Sequence, residues 1–139
     1  MSKDTFWALI QEAKTACGQD MDAITEHLRD GLLIMGTGAA RQFHNIFQAY
    51  MDLAEPFGLW DAASIIKENG CTLEGFIDFR AWLIAQGKAV YLNALRDPDT
   101  LADVEPYGDC SFESIAYVGN DVYHNLTGQD AYGDLDTAG

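Results

Sequence analysis

The chain has 139 residues, 48% of them hydrophobic and 12% aromatic, which fits one packed domain and excludes a disordered segment. Eight basic residues face 22 acidic ones, for a net charge of −14. That surface repels phosphate backbones, and no local basic patch offsets it, so nucleic-acid binding is not expected.

The apolar stretches are short and interrupted, as in Gly31–Gly36, and none approaches the roughly 20 residues that cross a bilayer. The opening Met1-Ser2-Lys3-Asp4 enters an amphipathic pattern at once and reads as having no signal peptide. Cys17, Cys71 and Cys110 are an odd, scattered set without a C-x-x-C pair. They predict a cytoplasmic protein with neither a disulfide framework nor a structural zinc site.

Asp4 is placed to cap a first helix that Gly18 ends, with Phe6, Ile10, Ala13 and Cys17 on one face and Trp7 beside them. Asp20 caps a second, carrying Ile24, His27, Leu28 and Leu32, and Gly36-Thr37-Gly38 breaks it. A third carries Phe43, Ile46, Phe47, Tyr50 and Ala54 and stops at Pro56, with His44 at the edge of its buried face. A fourth runs from about Leu59 to Asn69-Gly70. Thr72 caps a fifth, which Gly87 ends or kinks. A sixth holds Val90, Tyr91, Ala94 and Leu95 and stops before Asp97-Pro98-Asp99. Ser111 or Asp109 caps a last helix with Phe112, Ile115, Ala116 and Tyr123. These elements predict an all-α, compact, irregular bundle of about six to eight helices. Residues 1–126 form the single domain, and 127–139 an acidic, Gly-rich segment that frays.

Several stretches share a family pattern: Phe6-Trp7-Ala8-Leu9-Ile10, the run from Leu59 to Leu101, and Phe112–Val118. The core of that pattern is F-x-x-F-R-x-W-L-I-x-x-G-K over Phe76–Lys88, followed by Asp97-Pro98-Asp99-Thr100-Leu101. Together they resemble the DUF4240 family, a mostly bacterial domain of unknown function, over nearly the whole chain. The resemblance brings no activity with it, because none is established for the family. One departure stands out: relatives often carry an acidic pair in a Ser-Asp-Asp-Gly pattern where this chain has Thr72-Leu73-Glu74-Gly75. Any metal that pair held in relatives would find half of it missing here.

Arg80 is the most unusual residue. On a helix, Leu73, Phe76, Ile77, Leu83 and Ile84 form one apolar stripe, with Glu74, Asp78, Ala81 and Ala85 opposite, and Arg80 falls within the stripe. A guanidinium aimed into a core needs carboxylate or carbonyl partners. Asp97 and Asp99 at the Asp-Pro-Asp corner, and Asp61, are the candidate carboxylates. The arrangement is either an internal ion pair or an anion-binding arginine at the floor of a cleft.

The tryptophans Trp7, Trp60 and Trp82 and the phenylalanines Phe43, Phe47, Phe76 and Phe79 read as core. The histidines His27, His44 and His124 are isolated, with no ligand spacing for a metal. No Gly-x-Ser-x-Gly or phosphate loop occurs, and only Cys71, just before a helix cap, has the setting of a reactive thiol. The sequence therefore points away from an enzyme and assigns no catalytic residue, metal or cofactor. It favours a non-enzymatic interaction module with a basic protein partner, immunity-like in size and charge, and no membrane contact. The alternative is an enzyme or small-anion sensor built around Arg80.

Overall fold

The structure is a computed structural model and describes residues 1–18, 20–54, 73–97, 100 and 112–131. Among these residues it holds six α-helices and no strand: α1 Lys3–Cys17, α2 Met21–Met35, α3 Thr37–Ala54, α4 Leu73–Ala85, α5 Lys88–Arg96 and α6 Glu113–Thr127. The all-α bundle expected from the apolar spacing is the fold. The fourth helix read from the sequence, together with Trp60, Cys71, Thr72, Asp109, Cys110 and Ser111, lies outside the described residues. No described helix is long and apolar enough to cross a membrane.

Helix starts and stops follow local chemistry. Asp20 caps α2 as expected, its side chain accepting from the Ala23 N–H at 3.1 Å. The cap of α1 is Ser2 rather than Asp4: the Ser2 hydroxyl accepts from the Thr5 N–H at 3.1 Å, and Asp4 lies in the first turn, where a carboxylate favours the positive end of the helix dipole. Gly36, at φ 100°, ends α2, and α3 begins at once, so Gly38 is helical rather than part of a wider break. Gly87, at φ 105°, separates α4 from α5. Phe112 precedes α6 without a side-chain cap; its N–H is held by the Asp78 carbonyl at 3.2 Å.

The helices pack round a single core. The closest pairing is α3 against α6, where Gly119 sits against the backbone of Ala40 and His44. Thr25 and Ser114 share a hydroxyl–hydroxyl bond of 3.0 Å that ties α2 to α6. Phe6, Trp7, Phe43, Phe47 and Tyr50 form an aromatic nest between α1 and α3.

α4 is buried almost all round. Ala81 and Ala85, assigned to its polar face, are buried, whereas Ile77, assigned to the apolar stripe, is 43% exposed. A helix surrounded by neighbours has no polar side to keep wet, so a one-sided stripe is the wrong template for it. After α6 the chain turns at Gly128, and Ala131 is buried, its N–H bonded to Asn120 Oδ1 at 2.7 Å.

On α2 the buried residues Ile24, Leu28 and Leu32 face the core, and Asp22, Glu26 and Asp30 face solvent. Two like-charged pairs at a spacing of four cost the helix about 0.2–0.5 kcal/mol each. Asp22, in the first turn, recovers some of that from the dipole.

Candidate functional site

The last four carbonyls of an α-helix have no partner within it. α3 ends at Ala54 with no basic residue in its last turn, so its negative dipole end meets no cation of its own. Compensation arrives from two other helices. Arg80 of α4 donates from Nη1 to the Met51 carbonyl at 2.7 Å, and Tyr91 of α5 donates its hydroxyl at 2.6 Å to the Tyr50 carbonyl, one residue before the last four. The Tyr50 hydroxyl in turn accepts from Trp7 Nε1 of α1 at 3.1 Å.

Arg80 is 8% exposed, its guanidinium carbon 4.7 Å from the centre of the Phe76 ring. The cation therefore meets a carbonyl, a helix dipole and a ring face, three partial negative charges in place of one full one. Its Nε is buried and, among the described residues, has no hydrogen-bond partner. Tyr91 is held protonated, its phenol pushed well above its ordinary range, first by burial and then by Tyr50, with the Arg80 charge pulling the other way. A phenol in that state is a fixed donor.

A second cation does for α4 what Arg80 does for α3. α4 also lacks a basic residue in its last turn, and Lys14 of α1 donates from Nζ to the Gln86 carbonyl just beyond it at 2.8 Å. Burial pushes the Lys14 ammonium below its ordinary range. The Gln86 side chain returns to the Trp82 carbonyl at 3.2 Å.

Of the carboxylates proposed for Arg80, Asp61 and Asp99 lie outside the described residues. Asp97 is exposed at the C-cap of α5, its N–H bonded to the Asn93 carbonyl at 2.8 Å and its carbonyl accepting from the Thr100 hydroxyl at 2.8 Å. The helix-end partner of Arg80 went unread in the sequence, and so did Lys14. The signal for the first was present: a helix stopping before Pro56 without a lysine or arginine in its last turn.

One histidine differs from its sequence reading. His44 is fully buried rather than at an edge, 1% exposed against Gly119. Burial lowers its pKa, and the charge of Asp121 acts in the opposite sense. His27 Nε2 lies 3.2 Å from Glu12 Oε1 of α1. His124 Nδ1 is 3.2 Å from Asp130, and both line an open dent of about 320 Å³ with Asn120, Asp121 and Asn125. The dent is wide open to solvent, so it lacks the enclosing walls that bury a small ligand.

The family described as a protein of unknown function, DUF4240, matches residues 1–125. No curated protein and no solved structure matches the chain.

Proposed function

The chain belongs to the DUF4240 family, and we propose that this member is a non-enzymatic interaction module that engages a basic protein partner in the cytoplasm. The observation that carries the reading is where the positive charge goes. The chain has only eight basic residues, and two of them, Arg80 and Lys14, are turned inward onto helix ends. Among the described residues ten carboxylates are exposed against three basic side chains, Lys3, Lys88 and Arg96, so that surface is strongly acidic. Such a field raises the rate of encounter with a basic protein and repels nucleic acid.

The test is a partner captured from the native host with the full chain as bait, followed by association kinetics. Association should slow steeply as salt shortens the Debye length from roughly 30 Å toward 3 Å. Salt-independent association with the captured partner would count against the reading.

A second reading, a small-anion sensor at Arg80, is favoured by one observation, the buried Nε that lacks a hydrogen-bond partner among the described residues. Opposing it, the guanidinium sits at the negative end of α3, where an anion is disfavoured. Phosphate or sulfate that raises the melting point of wild type but not of Arg80→Lys would support the sensor.

A further inference from the structure

We propose that the outer face of α2, the row Asp22, Glu26, Asp30 and Ile34, is a docking surface whose occupant is a basic amphipathic helix of a partner protein. The inference rests on the basic-partner reading and adds where contact is made and what makes it.

The four residues recur every fourth position, so each step advances about 40° around the helix, and the row runs for about 18 Å along it. It lies opposite Ile24, Leu28 and Leu32, which face the core. The three carboxylates are exposed, and among the described residues none has an ion-pair partner. The row then changes character. Ile34 is 87% exposed, more than any other large hydrophobic side chain described, and Met35 beside it is 46% exposed. Carboxylates leading to an uncovered apolar end match the anatomy of a contact in which charge steers and sets register and a buried apolar residue holds.

Charge complementarity selects the occupant. A second copy meeting this face about a two-fold axis would set Glu26 against Glu26 and Asp22 against Asp30. Nucleic acid and anionic lipid are repelled in the same way. A helix with lysine or arginine at every fourth position has the same repeat as the row, so each cation meets one carboxylate. An apolar residue one step beyond then covers Ile34.

The experiment uses the full chain and two probes: a designed helical peptide with lysines at three successive fourth positions and a leucine four residues beyond each end, and an unstructured lysine peptide of equal charge. Binding is followed by fluorescence anisotropy at low and at physiological salt, with circular dichroism confirming that each variant is folded. The triple variant Asp22→Asn, Glu26→Gln, Asp30→Asn should weaken binding of the helical peptide at least about tenfold. A charge-matched triple on other exposed sites, Asp4→Asn, Asp52→Asn, Asp121→Asn, should weaken it less than about threefold, and Ile34→Ser should weaken it several-fold without altering salt dependence. Equal losses from the two triples, or no preference for the helical over the unstructured peptide, would overturn the α2 surface and leave the basic-partner reading standing. Failure of wild type to bind either probe at low salt would remove both.

Discussion

Arg80 reaches from the middle of α4 to the carbonyl of Met51 at 2.7 Å and so closes the end of a helix 29 residues earlier in the chain. The two residues fix α4 against α3 by a charge-assisted hydrogen bond inside the core, stronger than a neutral one. Because the acceptor is a carbonyl in the last turn of α3, the cation also interacts favourably with the negative end of that helix dipole.

Removing that side chain should be costly. A buried hydrogen bond to a charged group is worth about 1.5–3 kcal/mol, and truncation adds a cavity beside Phe76. Arg80→Ala should therefore lose about 3–5 kcal/mol and lower the melting temperature by about 10 °C or more. Arg80→Lys should lose less, since an ammonium still donates but cannot lie flat on the Phe76 ring. A chemical melt checks both, and an unchanged midpoint for Arg80→Ala would overturn the structural role.

Acid should act through His44. Its pKa in the folded chain is lowered by burial, so below about pH 6.5 the unfolded chain takes up a proton that the folded chain refuses. Stability contributed by neutral His44 is complete above the unfolded pKa and falls as pH drops toward the depressed folded value. The loss is at most about 1.4 kcal/mol for each pH unit in that window. Urea midpoints of wild type and His44→Asn, compared at pH 7.5 and 5.5, should show the gap between them narrowing at the lower pH. A gap that stays constant would mean His44 titrates as it does in the unfolded chain.

Two glycines in helices should respond with opposite signs. Gly31 of α2 has nothing within 4 Å of an added Cβ, so Gly31→Ala should stabilise by about 0.5–1 kcal/mol through helix propensity. Gly119 of α6 is different. A Cβ there meets the Ala40 carbonyl oxygen and the His44 backbone nitrogen, each at 2.9 Å. Gly119→Ala gains the same propensity but pushes α6 from α3, at a cost of about 1–3 kcal/mol. Thermal melts should rise for the first variant and fall for the second.

The helices could be read directly from the order of residues. Ser, Asp and Gly at fixed offsets set where α1 and α2 begin and end, and apolar residues at helical spacing set which faces of α1, α2 and α3 turn inward. Those are local interactions, and a single sequence contains them. Helical geometry alone also places Arg80 among apolar residues and so requires a partner for it. Family membership was legible for a related reason: the motif over Phe76–Lys88 lies almost wholly in α4, whose side chains are nearly all buried.

Who the partners are follows from packing and from nothing local. Met51 answers Arg80, Gln86 answers Lys14, and Gly119 covers His44, across separations of 29, 72 and 75 residues. A backbone carbonyl belongs to every residue, so no residue type marks Met51 or Gln86 as an acceptor. Only the crossing of helices brings a particular carbonyl to a particular cation. The same holds for α4: one-sided patterning describes a helix with a wet side, and whether a helix has one depends on how many neighbours pack round it. Which carboxylates face solvent on α2 could be read from periodicity; that Ile34 stands uncovered beside them depends on where the other helices end.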